Sequence, residues 1–259
     1  IGALKPITGS GIVIDDRGVI LTNAHVAQYV LIAQSGRSDL NCVVRTGAPA
    51  SGQWVPVALF VPSVWIDSHA GDITQSHAIG TGEHDYALLY IAESADGSLR
   101  PATFPAIVPD TREAIAFVDD HVLVASYPVE FIGNSIISAD LYPVTSITTV
   151  GRLMTFAVGS ADALSLGGVI GAQSGSSGGG VVNQWNRLVG LITTTSLGAT
   201  TAERDLHAIS SAYINRDMKQ QSGKNISETL ATSPEMTDAA FAPQADRLAQ
   251  QLIRAIIGR

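Results

Sequence analysis

Short apolar or alternating segments, separated by Gly, Pro, Asn and Asp, follow one another through most of this chain. Residues 11–14 and 19–22 flank an Asp-Asp-Arg-Gly sequence that is typical of a hairpin turn. The same kind of pattern predicts further strands at 42–46, 55–61, 86–91, 122–126, 144–149, 153–158, 180–182 and 188–194. Because no long amphipathic helix separates these segments, the pattern favours an antiparallel barrel or sandwich over a parallel α/β sheet.

Helical periodicity is confined to three stretches. Residues 24–34 predict one or two helical turns, and residues 209–221 predict one helix. A polar, linker-like stretch follows at 222–234. Beyond it, apolar residues recur near helical spacing at Phe241, Leu248, Leu252 and Ile256. We expect this last helix to pack on the domain or on a partner.

The composition is that of a globular protein, because 46% of the 259 residues are apolar and 15% are charged. The net charge of −8, with no cluster of Lys and Arg, disfavours nucleic acid as a partner. The apolar runs are too short to cross a bilayer, and the chain as given opens without a secretory signal pattern. Cys42, the single cysteine, lies in an apolar stretch that predicts a buried, inert thiol.

A serine surrounded by glycines, in the sequence Gly-Ser-Ser-Gly-Gly at 175–179, is the strongest sign of chemistry in the chain. Glycines permit a tight turn that presents a hydroxyl and leaves neighbouring N–H groups free to stabilise an oxyanion. Ser177 is favoured over Ser176 because only Ser177 has glycine both two positions before it and two positions after it. A serine hydroxyl needs a base, and His25, in Leu-Thr-Asn-Ala-His-Val at 21–26, can supply it.

An acid must fix the tautomer of that histidine. Asp85 is favoured because an apolar strand follows it directly, although Asp72 lies close enough in the sequence to compete. The resulting chain order, His25, Asp85 and Ser177, is that of the double β-barrel proteases. The β-rich pattern agrees with this order.

An α/β-hydrolase is the competing enzyme class, because Gly-x-Ser-x-Gly also fits its nucleophile turn. That fold needs the serine first, then the acid, then the histidine. His207, with Asp205 as the nearest acid before it, is the only histidine after Ser177, and no βαβ alternation surrounds the serine. We therefore reject this class.

Four segments in the observed order resemble the chymotrypsin-fold serine proteases, and within them the bacterial trypsin-like and HtrA-like branch. The segments are the histidine region at 9–26, Asp-Tyr-Ala-Leu-Leu at 85–89, Ala-Ser-Tyr-Pro at 125–128, and the serine loop at 175–179 with the strand after it. The resemblance covers about residues 8–220 and implies a mainly β fold of two six-stranded antiparallel β-barrels, followed by a C-terminal helical segment. It implies a protease domain at 1–221 and a linker with a C-terminal helix at 222–259. No PDZ-like extension is recognisable.

The resemblance also implies catalytic roles for individual residues. Ser177 attacks the scissile carbonyl, His25 takes its proton, and Asp85 orients the imidazole. The backbone N–H groups of Gly175 and Ser177 form the oxyanion hole, where the loss of one donor costs about 3 kcal/mol of barrier. Ser176 stands where many relatives carry Asp or Asn, so a zymogen switch that pairs an N-terminal ammonium with that carboxylate is not expected.

Substrate contacts follow from the same resemblance. Thr193, Thr194 and Thr195 form the edge on which an extended peptide pairs as an added strand. Gly171, six residues before the nucleophile, leaves the base of the primary pocket without a counter-charge for Arg or Lys. Thr195 narrows the mouth of that pocket, so we expect a preference for small aliphatic P1 residues.

The sequence therefore predicts a serine endopeptidase that acts on polypeptides and is periplasmic or extracellular, as the bacterial branch implies. A protease-fold binding module, or a protease held in a latent state, is the alternative. The other histidines show no metal-ligand spacing, so we predict solvated side chains, no metal site and no cofactor. They are His69, His77, His84, His121 and His207. The C-terminal helix could also support a homo-oligomer or dock a partner.

Overall fold

The computed structural model describes residues 4, 7–36, 40–75, 80–113, 116–129, 141–156, 159–169, 174–195 and 203–258. For residues 194 and 195 it describes the backbone alone. The strands within these ranges form two sheets, and every strand pair in both sheets is antiparallel. The predicted mainly β, antiparallel architecture is confirmed.

The first sheet has five strands in the spatial order β1-β2-β5-β4-β3. They are β1 (Ile12–Asp15), β2 (Val19–Thr22), β3 (Val44–Gly47), β4 (Ala50–Phe60) and β5 (Ala87–Ser94). The pairing of β2 with β5 places Thr22 opposite Ala87. Because these strands are antiparallel, the segment after β2 and the segment before β5 leave the sheet at the same end. Those two segments carry His25 and Asp85.

The second sheet has seven strands in the order β7-β6-β10-β11-β12-β9-β8. They are β6 (His121–Ser126), β7 (Val144–Thr149), β8 (Arg152–Met154), β9 (Ala163–Ser165), β10 (Gly180–Asn183), β11 (Leu188–Thr195) and β12 (Leu206–Ser210). The strand count differs slightly from the expected six in each unit, since the described residues contain five and seven. The two strands missed by the pattern, β9 and β12, are short and almost wholly buried, so they show no apolar and polar alternation.

The helices of the described chain lie after β2, after β4 and at the C-terminal end. They are α1 (Ala24–Gln34), α2 (Ser63–His69) with a 3₁₀ turn (Ala70–Thr74), α3 (Ser211–Ser222), α4 (Ile226–Leu230) and α5 (Pro234–Ile257). Asn225 caps α4 and its side chain accepts a hydrogen bond from the Glu228 backbone N–H. The stretch predicted as a linker therefore contains a short, capped helix.

The apolar stripe of α5 is buried in the chain's own core. Phe241, Leu248, Leu252 and Ile256 join a cluster that also contains residues of α1 and β4. The ring of Phe241 lies 6.2 Å from the ring of Phe60 in β4. The prediction that this stripe docks a partner or a second copy is not supported, because the domain itself covers it. None of the helices in the described ranges combines the length and apolar character needed to span a membrane.

Candidate functional site

The start of α1 is built around the carboxyl group of Asp85. Asn23 precedes the helix, and its side-chain amide donates to the Asp85 backbone carbonyl over 2.8 Å. The backbone N–H of His25, in the first turn, donates to Asp85 Oδ1 over 3.0 Å. Free N–H groups and the positive end of the helix dipole both favour a carboxylate at this position. The helix start therefore fixes Asp85 as well as His25.

The side chains of His25 and Asp85 are in direct contact. His25 Nδ1 lies 2.7 Å from Asp85 Oδ2, and the hydroxyl of Thr193 donates to the same oxygen over 2.8 Å. Asp85 is 5% exposed, whereas the imidazole keeps 32% of its surface accessible. The rival acid, Asp72, accepts instead from the side-chain amide of Gln75. The structure thus brings Asp85 rather than Asp72 to the histidine.

Each group shifts the pKa of the other. Burial on its own lowers the pKa of His25, but the charge of Asp85 and its hydrogen bond outweigh burial and raise that pKa above 6.5. Burial raises the pKa of Asp85, but the charge of His25, the bonds from His25 and the Thr193 hydroxyl together lower it below 3.8. The pair is therefore arranged to hold a charged imidazolium beside a carboxylate.

The serine loop needs its glycines. Gly175 has a φ of +90°, and a Cβ there would lie 2.8 Å from the Tyr127 carbonyl oxygen. Gly178 has a φ of +88°, and a Cβ there would lie 2.0 Å from the Ser10 carbonyl oxygen. Any other residue would collide with backbone at both positions. The loop can therefore turn tightly and lie directly against the first sheet.

Two hydrogen bonds set the direction of the loop's peptide groups. The Val129 backbone N–H donates to the Ser174 carbonyl over 2.9 Å, and the Ser10 hydroxyl donates to the Gly175 carbonyl over 2.7 Å. Since C=O and N–H point in opposite directions across a trans peptide, the first bond turns the Gly175 N–H away from Val129. In the described part of the chain, the N–H groups of Gly175 and Ser177 donate to no acceptor. Both are free to bind an anion.

The two serines of the loop have different surroundings. Ser176 is 1% exposed, and its hydroxyl accepts from the Ser126 hydroxyl over 3.1 Å. Ser177 is half-buried, and its Oγ lies 3.4 Å from the Thr193 carbonyl oxygen. Among the hydrogen bonds of the described residues, none joins Ser177 to His25. The accessible hydroxyl is that of Ser177, and it rests on Thr193.

The predicted substrate-binding residues are only partly described. Thr193, Thr194 and Thr195 end β11, where Thr194 lies opposite His207 in β12. The pairing of β11 with β10 ends at Leu191. Beyond Ile192, the other side of β11 therefore has no strand partner among the described residues. Gly171 lies outside the described residues.

Two contributions to the site were missed by the sequence pattern. Ser10 is buried, donates to the Gly175 carbonyl and accepts from the Tyr127 backbone N–H over 2.9 Å. Thr193 was predicted only as part of the substrate edge, yet its side chain contacts Asp85. Ser10 does lie in the Gly-Ser-Gly segment that carried the family resemblance. Its partner is 165 residues away, however, and no local pattern reports such a contact.

A family model for the trypsin-like peptidase domain matches residues 9–191. No curated protein matches significantly. An inactive-form structure of a serine-to-alanine mutant of Rv3671c from M. tuberculosis H37Rv is 17% identical, covers 83% of this chain and 82% of its own, and has a TM-score of 0.50. The HtrA-type protease AlgW, solved with a decapeptide, is 16% identical with a TM-score of 0.51; the match covers 83% of this chain and 52% of AlgW. At these identities the two structures show a shared chymotrypsin-like fold.

Proposed function

We propose that this chain, which belongs to the trypsin-like peptidase family and is a serine endopeptidase by class, uses His25, Asp85 and Ser177 as its catalytic residues. The observation that carries the proposal is the bonded His25–Asp85 pair beside a glycine loop that exposes Ser177 and leaves two N–H groups free. A base, an orienting acid, a nucleophile and an oxyanion site together are the requirements of acyl transfer.

The first half of the reaction forms an acyl-enzyme. Ser177 Oγ attacks the carbonyl carbon of the scissile peptide while His25 Nε2 takes the hydroxyl proton. The resulting imidazolium is stabilised by the Asp85 carboxylate, which stays ionised. The C–N bond then breaks, and His25 returns the proton to the leaving amine. Water repeats the sequence on the ester, with His25 again as base and then as acid, and releases the new carboxyl group.

The free N–H groups of Gly175 and Ser177 would bind the oxygen that becomes negative in each tetrahedral intermediate. Donors that are already oriented need no reorganisation during the reaction, and one such donor is worth about 3 kcal/mol of barrier. Two hydrogen bonds to the loop carbonyls support this role. The bond from Val129 to the Ser174 carbonyl holds the peptide that carries the Gly175 N–H, and the bond from the Gly179 N–H to the Ser176 carbonyl, at 2.9 Å, holds the peptide that carries the Ser177 N–H.

The substrate would be an extended polypeptide that pairs with the unpartnered side of β11 from Thr193 to Thr195. Main-chain pairing on this edge would bring the scissile bond to Ser177, which contacts Thr193. We further propose small aliphatic P1 residues, from Gly171 at the predicted pocket base and Thr195 at its wall, and a periplasmic or extracellular site of action in bacteria. These finer points rest on the sequence resemblance.

A latent protease or a protease-fold binding protein is the second candidate, and one observation favours it. The Ser177 hydroxyl bonds the Thr193 carbonyl instead of the His25 ring. A serine that stayed there would not be activated by a base.

A fluorophosphonate probe separates the two candidates, because it reacts only with an activated serine. Under the proposal the wild type is labelled, and labelling disappears in Ser177→Ala and in His25→Ala. Ser176→Ala is the matched control, since it removes the adjacent hydroxyl and should leave labelling intact. Absence of labelling in the folded wild type would establish the latent or binding candidate. A peptide-library cleavage profile then tests the P1 preference.

A further inference from the structure

The two residues on either side of Asp85 bind one and the same carboxyl group. His84 Nδ1 lies 2.9 Å from Asp217 Oδ2, and the Tyr86 hydroxyl donates to that oxygen over 2.9 Å. Asp217 belongs to α3 and is 131 residues away from Tyr86 in the sequence. Asp85 therefore lies between two residues, His84 and Tyr86, whose side chains bind the same carboxyl oxygen of α3. We call these two residues the anchors of Asp85.

A tyrosine of the same helix completes this cluster. The backbone N–H of His84 donates to the Tyr213 hydroxyl over 3.0 Å, and that hydroxyl lies 3.3 Å from His84 Nδ1. Tyr86, Tyr213 and Asp217 are all buried, and Asp217 is 5% exposed. His84 was predicted to be solvated; it is instead half-buried and bonded on both its backbone and its ring.

His84 holds an unusual backbone conformation. Its φ is +58°, in the left-handed region that residues other than Gly, Asn and Asp seldom adopt. The conformation turns the chain just before Asp85, whose N–H donates to the Gly82 carbonyl over 3.1 Å. The bonds from Asp217 and Tyr213 to His84 hold the turn in place. The direction of the Asp85 side chain depends on this turn.

We propose that Asp217 is a positioning residue that fixes the catalytic acid Asp85 by binding His84 and Tyr86 together. This inference rests on the proposed function for the role of Asp85. Thr193 and the N–H of His25 hold the carboxyl group of Asp85 itself, while Asp217 holds the side chains of the residues on both sides of it. A loosened backbone would let the carboxyl group drift from the imidazole, and a misplacement of about 1 Å can cost 10²-fold in rate.

Among the described residues, the charged groups near this cluster include Glu83 and Arg216. Glu83 Oε1 lies 3.8 Å from His84 Nε2, and the Arg216 guanidinium lies 5.9 Å from the centre of the Tyr213 ring. The neutral side-chain amide of Gln221 lies 3.5 Å from the other Asp217 oxygen. The hydrogen bond from the His84 ring to Asp217, together with the charges of Asp217 and Glu83, raises the pKa of His84 despite burial. Substitution of Asp217 removes the carboxyl group that binds both His84 and Tyr86.

The decisive measurement is the titration of His25 followed by NMR, through the downfield proton on the nitrogen that bonds Asp85. This signal reports the His25–Asp85 contact whether or not the enzyme turns over. In Asp217→Leu, which keeps a side chain of similar size but offers no acceptor to either anchor, we expect the pKa of His25 to fall toward 6.5. We also expect kcat to fall about 10-fold with KM nearly unchanged.

Asp110→Leu is the matched control. Asp110 is 7% exposed and its carboxyl group binds the Arg112 side chain, so the substitution removes an equal charge and a salt bridge away from the cluster around Asp217. It should lower the melting temperature but leave the His25 titration and kcat in place. His84→Asn should behave close to wild type, because Asn tolerates the left-handed conformation and its amide can donate to Asp217.

The proposal is overturned if Asp217→Leu leaves the His25 titration unchanged, or if Asp110→Leu shifts it equally. These outcomes are independent of the proposed function. Failure of fluorophosphonate labelling in the wild type would reject catalysis by Ser177, while the NMR titration would still decide whether Asp217 positions Asp85.

Discussion

The acid–base half of the site and the nucleophile half are held in different ways. On the acid–base side, the Asp85 carboxyl group meets the His25 ring, the His25 backbone N–H and the Thr193 hydroxyl, all within 3.0 Å. On the proposed nucleophile side, the backbone of the glycine loop is hydrogen-bonded, but within the described part of the chain the Ser177 hydroxyl makes a single hydrogen bond, at 3.4 Å. The first half is thus bonded through its side chains, whereas the second is bonded mainly through its backbone.

This difference is explained by the free energy that would be needed to assemble each half during catalysis. A buried carboxylate without partners is expensive, so its bonds must be present before the substrate arrives. A serine hydroxyl moves between neighbouring acceptors by rotation about χ1, among staggered wells of similar energy. Under the proposed function, the charged pair is assembled before the substrate binds, and only the rotation of the Ser177 hydroxyl toward His25 remains for the bound state.

Asp85→Asn should break the rigid half and give the largest effect, a fall in kcat of about 10⁴-fold. Activity needs neutral His25, so kcat/KM of the wild type should rise with pH through a midpoint above 6.5. Without the Asp85 charge, burial still lowers the pKa of His25, and the residual activity should rise through a midpoint below 6.5. A pH profile of kcat/KM measures both effects. Asp72→Asn is the control, and an equal loss there would contradict the assignment of the acid.

Ser10→Ala tests the backbone rigidity of the nucleophile half. The Gly175 carbonyl loses its hydroxyl donor, so the 175–176 peptide, which links the two proposed oxyanion donors, should become less well fixed. We expect a fall in kcat of about 10- to 100-fold, which is less than the loss of a whole oxyanion donor. Ser126→Ala is the control, because the Ser126 hydroxyl at the end of β6 donates to the Ser176 hydroxyl of the loop and not to the Gly175 carbonyl. Steady-state kinetics of both variants gives the comparison. If the two variants lost kcat equally, the effect of Ser10→Ala would be due to general packing and not to the Gly175 carbonyl.

Thr193→Val tests a single hydrogen bond of the acid–base half and should have the smallest effect on kcat of the three substitutions. The substitution keeps the shape of the side chain but removes one of the three donors to Asp85. Because the ring and backbone of His25 still hold the carboxyl group, we expect a fall in kcat of about 3- to 10-fold, from part of a charged hydrogen bond. Thr148→Val, which removes a hydroxyl bond to the Leu166 carbonyl in the second sheet, is the control. An unchanged kcat in Thr193→Val would mean that this bond is dispensable.

The sequence predicted much of the architecture because local sequence patterns identify most of the strands. The hairpin at residues 11–22 has a turn sequence between two apolar segments, and its strands form with bounds within one residue of the prediction. Residues 24–34 form a helix of eleven residues, where one or two turns were expected. The start of α3 was placed two residues early, because residues 209 and 210 end β12 as buried strand.

The environment of His84 could not be predicted in the same way. His84 lies between two acidic residues, Glu83 and Asp85, and such a polar sequence is typical of a solvated loop. Its actual partners, Asp217 and Tyr213, lie on a helix about 130 residues later. The burial of the α5 stripe is a similar case, because periodicity shows that a helix has an apolar face but does not show what covers it.

The sequence by itself determined the antiparallel β architecture, the identity and order of the candidate residues, and the two glycines that the loop requires. These are local properties, set by turn chemistry, apolar alternation and backbone sterics. The tertiary structure alone decided which groups hold those residues: Ser10 on the Gly175 carbonyl, Thr193 on Asp85, and Asp217 on both neighbours of Asp85. Each of these contacts joins residues more than 100 positions apart, and hydrogen-bond geometry between them exists only once the two sheets and α3 have packed.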